Sequence, residues 1–454
     1  MTLNAAARLT ALALFACMRA HAATFVVDTE TDSVDADPGD GQCADVGGHC
    51  SLRAAIEETN ALAGADSIEL PTGTLSLTIA GVGEDAAATG DLDITDDLTL
   101  EGTGADSTRI DGGGLDRIIE IFGGASGREV ALSHLTLQNG FVENTGFGSG
   151  GVGLRVDALV HVTLEDVVIR DNRATQSPSG IAIDSQGCVE GSHVRILDNV
   201  DTAETGAGSA VAAIHVHEDA DADLGACLTL EDSEISDNRA DQAGAIESEY
   251  APITLKRTLI SNNEARFAGA IIANIAADTR LENVTISGNR GNPGAILNDG
   301  GSHLTIVNST ITGNRGSFGT PNVGGIQDVH GGFGLTFLAN TILFGNGPGF
   351  IADDCDAATS NGGNMIGDSA DCHLAADPSD QLDVDPGLSP LADNGGFTRT
   401  HLPGAAPLDH GVDAVCLAVD QRGVARPIDG DGDGTARCDA GAVESVRDAI
   451  FAGG

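Results

Sequence analysis

The chain has 454 residues, 62 of them Gly, with no Trp, one Tyr (Tyr250) and one Lys (Lys256). Its 22 Lys and Arg stand against 68 Asp and Glu, a formal charge of −46, and such a surface repels nucleic acid and anionic membrane. A hydrophobic content of 41% argues against wholesale disorder, and an aromatic content of 3% argues against a hydrolytic cleft built on stacked Trp and Tyr rings.

Residues 1–22 read as a secretory signal. Arg8 supplies the positive start, "LTALALFACM" the apolar core, and Ala20-His21-Ala22 the small-residue cleavage site. Leu14-Phe15-Ala16-Cys17 loosely resembles a lipidation box, but Phe15 fits that pattern poorly. No other apolar run is long enough to span a bilayer, so the mature chain is expected to be exported, extracellular or on the outer surface of a bacterial cell. Cleavage removes Arg8 and Arg19 and no acid, leaving 20 basic against 68 acidic residues, −48. It also removes Cys17 and leaves eight cysteines in an oxidising compartment. These fall into near neighbours, Cys43 and Cys50, Cys188 and Cys227, Cys355 and Cys372, Cys416 and Cys438, and we expect those four local disulfides, although spacing alone leaves other pairings open. The rival, a thiolate metal site, lacks any C-x-x-C.

The stretch "GHCSLRAAIEETNAL" (48–62) predicts a short helix. Ser51 caps it, Leu52, Ala55, Ile56, Thr59 and Leu62 recur at helical spacing, and Gly64 stops it. Residues 23–65 are assigned as an N-terminal cap.

Repeats occupy 66–350. "LEDSEISDNRADQAGAI", "LKRTLISNNEARFAGAI", "LENVTISGNRGNPGAI" and "LTIVNSTITGNRG" place Asn238, Asn263, Asn289 and Asn314 at intervals of 25, 26 and 25 residues. Looser copies carry Asn139, Asn172, Asn199 and Asn346. A fixed period in the twenties means a solenoid. Leu281, Val284, Ile286 and Asn289 also fit a leucine-rich repeat, but after the asparagine the chain gives Gly-Ala-Ile, a polar turn and another β-branched run rather than a Leu-rich return. Two or three short strands per period and no helix predict an all-β, right-handed parallel β-helix of about eleven coils stacked roughly 4.8 Å apart. Leu281, Val284 and Ile286 should point inward. The recurring Asn should take the left-handed corner and hydrogen-bond to the Asn of the next coil, and the Gly of each "GAI" should permit another corner. A solenoid needs its open ends covered, which gives the lone helix a role as a cap over the first coil.

"CSLRAAIEETNA" (50–61) resembles the Cys-Ser-Leu-Arg-Glu-Ala motif of the CSLREA domain through Cys50, Ser51, Leu52, Arg53 and Ala55, with Ala54 in place of Glu. "GDLDITDDLTLEGTGADSTRIDG" (90–112) is similar to that family's N-terminal region. "DPGLSPLADNGGFTRTHLPGAAPLDHG" (385–411) and "DQRGVARPIDGDGDGTARCDAGAVE" (420–444) resemble the module called choice-of-anchor Q, assigned here to a C-terminal cap region, 351–446. The resemblance implies an exported bacterial β-helix protein at the cell surface and assigns no reaction. The tail 447–454 carries no hydrophobic span of the kind that often comes after this module.

Four constellations bear on chemistry. The pairs Asp96-Asp97 and Asp353-Asp354 are expected by chance among 68 acids. Arg173, Arg239, Arg290 and Arg315 each follow a corner Asn and would align on stacked coils, with Glu264 interrupting. A β-helix lyase uses such a base beside Ca²⁺, but this row recurs through the repeat, and ion pairs with acids such as Asp171 and Asp237 are the expectation. His215 and His217 alternate on one strand before Glu218 and Asp219, a start for a zinc or copper site without a third ligand. Asp429, Asp431, Asp433 and Gly434 match the first half of a calcium loop. Ala440 stands where its closing Glu belongs, so Asp439 or Glu444 would have to complete a Ca²⁺ site. The expected function is a non-catalytic surface protein, adhesin-like or binding a glycan, matrix or protein ligand; the alternative is a Ca-dependent polysaccharide lyase or other polysaccharide-active enzyme.

Overall fold

The computed structural model describes residues 22–143, 150–175, 177–202, 211, 213–219, 225–316, 323–329, 335–347, 354–370 and 372–445. The expected signal segment up to His21, Asp353 and the tail 447–454 lie outside them.

Parallel pairing runs from Thr24–Val26 to Gln381–Leu382, and each coil contributes strands to three faces. Face one holds strands such as Cys227–Glu231, Ile253–Lys256 and Asp278–Glu282. Face two holds Glu234–Ser236, Leu259–Ser261 and Thr285–Ser287. Face three is a nine-stranded sheet that includes Ile214–His217, Ile246–Glu249, Ile271–Asn274 and Ile296–Asn298. Two-residue strands between faces two and three, among them Arg173–Ala174 and Arg290–Gly291, complete the coil. Side chains alternate in and out along each strand. Leu281, Val284, Ile286 and Ile296 all point into the core and are fully buried.

The corner after face two explains the asparagine period. Asn172, Asn199, Asn238, Asn263, Asn289, Asn314 and Asn346 form one buried ladder in which each Nδ2 donates to the next residue's Oδ1 at 2.8–3.0 Å. The last acceptor is the Asp354 carboxylate. The left-handed backbone, however, sits one residue earlier, at Asp171, Asp198, Asp237, Asn262 and Gly288, with φ of 56, 55, 60, 57 and 71°. The ladder residue needs a side chain that both donates and accepts, whereas the turn needs only tolerance of positive φ. Asn139 takes the turn position (φ 59°), and Gly140 stands in the ladder, donating its N–H to Asn172 Oδ1. The glycines of "GAI" serve close approach rather than a corner. A Cβ on Gly244 would lie 2.4 Å from Gly269 O, and one on Gly269 would lie 2.3 Å from Gly294 O.

The helix Leu52–Ala61 is capped by Ser51, whose side chain accepts from Ala54 N, and ends with Leu62 as its C-cap, two residues before Gly64. It packs against the strands Asp66–Glu69 and Leu92–Ile94 of the first coil. Arg53 is fully buried within it. Its Nε meets Asp32 at 2.7 Å, and its remaining N–H groups reach the carbonyls of Ala87, Gly90 and Asp91.

A C-terminal segment that includes His401, Val419, Gln421 and Ala442 lies along the flank. Asn283 Nδ2 donates to Val419 O, Thr285 to Gln421, Ser287 meets His401, and Ala442 N donates to Thr310. Ile342, Met365 and Ala440 form a small apolar cluster there. One outward row of face two runs Arg109, Thr136, Val168, Arg195 and Glu234 in earlier coils, then Leu259, Thr285, Thr310 and Ile342 in the coils where this cover lies.

Candidate functional site

The structure contains the disulfides Cys43–Cys50, Cys188–Cys227, Cys355–Cys372 and Cys416–Cys438. No helix of the described residues is long and apolar enough to cross a membrane.

The calcium-type loop is only partly assembled as expected. Carboxylate oxygens of Asp409, Asp429 and Asp431 lie within 4.8 Å of one another. Asp433 stands outside that group and accepts from Thr435 N at 2.7 Å. Neither acid expected to close the site does so. Glu444 pairs with the buried Arg426 at 3.0 Å, and Asp439 accepts from Asp409 N and Ser445 N. Burial, with Glu444 nearby, pushes Asp439 up to about 8. Asp409 completes the trio from a turn 20 residues upstream of Asp429, where no spacing rule would seek it.

His215 and His217 do project from one face, with ring centroids 6.1 Å apart. His217 Nδ1 is taken up by Glu249 of the next coil at 3.1 Å, and among the described residues no third ligand converges on the pair. Burial lowers the pKa of His215, and its Nε2 has no hydrogen-bond partner. The expected pairing of Asp171 with Arg173 does not form, since Asp171 lies 3.4 Å from Arg170.

Two other acidic groups are accounted for by their partners. Asp91 and Glu120 hold Arg117 between them, with Asp93 alongside. The His161, Cys188 and Glu190 group contains a disulfide sulfur and so offers no thiolate.

Two concave places stand out among the described residues. A groove of about 570 Å³ on face one is lined by Asp97, Arg128, Glu129, His161 and Gln186. Several of its polar groups are already engaged: Glu129 meets His161 at 2.8 Å, Asp97 accepts from Glu129 N, and Arg128 donates to Phe122 O. A smaller pocket of about 140 Å³ on face three is lined by Gln242, Glu247, Phe267, Ile272, Asn274, Leu297 and Asp299. Its floor is set by register. His215, Glu247, Ile272 and Leu297 occupy one outward row on consecutive coils. Ile272 packs with Val211, Ala243 and Ala268 in a second apolar cluster outside the main core. Phe267 remains 40% exposed and carries the Arg266 guanidinium 4.7 Å from its ring centroid.

Glu247 is the unusual group. It is 4% exposed, and burial, with Glu249 next to it, pushes it up to about 8. Its carboxyl group is therefore mostly protonated at neutral pH. With its amide nitrogen turned toward Glu247, Gln242 donates to the two carboxyl oxygens at 3.3 and 3.1 Å. The pocket thus offers an apolar floor, an edge of amides and carboxylates, and one neutral acid able to donate a hydrogen bond. None of the expected sites includes these residues. The signal for them lies just after each "GAI", where Ile272 and Leu297 break the alternation by placing apolar side chains outward.

The family model described as right handed beta helix region matches residues 179–361. No curated protein matches the chain. Among solved structures, the crystal structure of pectate lyase Pel9A is similar with a TM-score of 0.37 and 12% identity, covering 93% of this chain and 96% of that one. The stacked parallel faces and the family match make the chain a right-handed parallel β-helix protein.

Proposed function

We propose that this is an exported, non-catalytic β-helix protein that binds glycan at the face-three pocket. One observation carries the proposal: a floor of Phe267, Ile272 and Leu297 is bordered by Gln242, Glu247, Asn274 and Asp299 on the outer face of a rigid sheet. A sugar ring has an apolar face and a hydroxyl rim, and this pocket presents the matching surfaces. The four disulfides support export, since such bonds persist in oxidising compartments. Ca²⁺ belongs to the same proposal as a structural brace held by Asp409, Asp429 and Asp431.

A polysaccharide-active enzyme is the second reading, and protonated Glu247 is what favours it, because a carboxylic acid kept neutral near pH 7 is suited to proton donation. The candidate Ca²⁺ residues belong to the C-terminal segment that packs on face two, a different face from Glu247, so a Ca-dependent lyase gains no support from the arrangement. Incubation with a panel of neutral and acidic oligosaccharides, scored both for bound ligand and for new reducing ends or unsaturated products, separates the two. Binding without turnover supports the first reading; turnover abolished by Glu247→Gln replaces it with the second.

A further inference from the structure

We infer that the arginine file between faces two and three binds the acid groups of an anionic polysaccharide, one whose carboxylates repeat at about the interval of the coils. The inference rests on the glycan-binding reading above and names the class of glycan.

Register sets the file. Phe141, Arg173, Val200, Arg239, Glu264, Arg290 and Arg315 occupy one outward position on successive coils, spaced by about 4.8 Å per coil. All four arginines are exposed. Many arginines elsewhere find carboxylates: Arg53, Arg117, Arg155, Arg257, Arg422 and Arg426 each form ion pairs, whereas among the described residues Arg109 and Arg437 do not. Among the described residues the four in the file form none, in a chain with 68 acids to choose from.

Arg290 and Arg315 are directly paired on adjacent strands. Like charges placed opposite each other destabilise a sheet, and a bound anion would relieve that cost. The neighbouring corner changes in step. Asp171, Asp198 and Asp237 precede the ladder in earlier coils, whereas Asn262, Gly288 and Gly313 do so around Arg290 and Arg315. The turn position thus carries no acid where the two arginines adjoin, although Glu264 stands next to Arg290 in the file itself. Beneath them the Asn ladder fixes the backbone, so the spacing of the file is rigid. Guanidinium groups bind carboxylates in a two-pronged geometry, which suits them to a uronic acid chain. The file also borders the pocket: Asn292 N, two residues past Arg290, donates to the carbonyl of Phe267. One chain could therefore set a sugar ring on Phe267 and its acid groups on Arg290 and Arg315.

The test titrates the full mature protein, by calorimetry in EDTA, with a size-defined uronic acid oligomer and with the same oligomer carboxyl-reduced to neutral alcohols. The acid oligomer is expected to bind roughly tenfold or more tightly than its reduced form. The double variant Arg290→Gln/Arg315→Gln should remove that advantage and leave binding of the reduced form unchanged. Arg280→Gln on face one should alter neither, and circular dichroism should report the same fold for both variants. Equal binding of the two oligomers, or an acid oligomer indifferent to the double variant, would overturn the file and leave the glycan pocket standing. Binding of neither oligomer would remove both readings. Acid-oligomer binding that appears only when Ca²⁺ replaces EDTA would assign the carboxylates to a bridging cation and overturn the file.

Discussion

Asn263 connects three coils through one side chain. Its Nδ2 donates to Ile235 O and to Asn289 Oδ1, while its Oδ1 accepts from both nitrogens of Asn238. Asn263→Ala leaves those groups buried without partners and should cost about 3 kcal/mol, read from the midpoint of denaturant unfolding. Asp, which lacks donors, should rescue little. Glu247 gives a pH dependence. Its carboxyl is raised to about 8 by burial, so the folded state holds a proton that the unfolded chain releases near its ordinary value of 4.5. The stability it contributes is full below that ordinary value and is lost as pH rises through the folded pKa. Melting temperature should therefore fall between about pH 5 and 8, and Glu247→Gln, fixed in the neutral form, should lessen the decline, leaving the share of Asp93 and Asp439, which burial also raises to about 8. An unchanged slope in that variant would mean the acid is not held neutral.

Among the elements, the N-terminal helix is held by Arg53 as well as by its buried apolar stripe of Leu52, Ala55 and Ile56. The guanidinium is fully buried, pairs with Asp32 and meets three carbonyls of the loop ahead of the strand Leu92–Ile94. Removing one member of a buried pair strands the other, so Arg53→Ala should cost about 3–5 kcal/mol, measured as loss of unfolding free energy. Much of the architecture was legible in the residues. Period, inward positions and the capping helix came from Asn spacing, alternation and Ser51. The separation of roles at the corner did not, because Asn satisfies both the ladder and the left-handed turn, and only backbone angles tell Asn263 from Asn262. The cover on face two had a trace in one outward row, which includes Arg109, Arg195 and Glu234 in earlier coils and is uncharged from Leu259 through Thr285 and Thr310 to Ile342, a pattern visible only once register is known. The face-three pocket was hidden for the same reason. Its residues come from different coils, and Ile272 alone looks like core.

As a whole the molecule is an acidic rod whose sides, rather than its ends, carry the distinctive surfaces. Face two is covered by the C-terminal segment, face three holds the pocket, and the arginine file runs between them. The segment over face two includes the trio Asp409, Asp429 and Asp431, so Ca²⁺ should raise the melting temperature of the protein, with the gain growing with ligand concentration. Asp409→Asn/Asp429→Asn should abolish that response, followed by differential scanning calorimetry with and without EDTA. A Ca²⁺ response that survives in the double variant would place the ion elsewhere.

Calorimetric titration of the mature protein with neutral and acidic oligosaccharides, alongside Leu297→Arg and followed by product analysis, tests glycan binding at the face-three pocket most directly. Saturable binding to an intact ligand, abolished by filling the pocket with Leu297→Arg, is the predicted result. No binding to any member of the panel, binding unaffected by Leu297→Arg, or recovery of cleaved saccharide would contradict it.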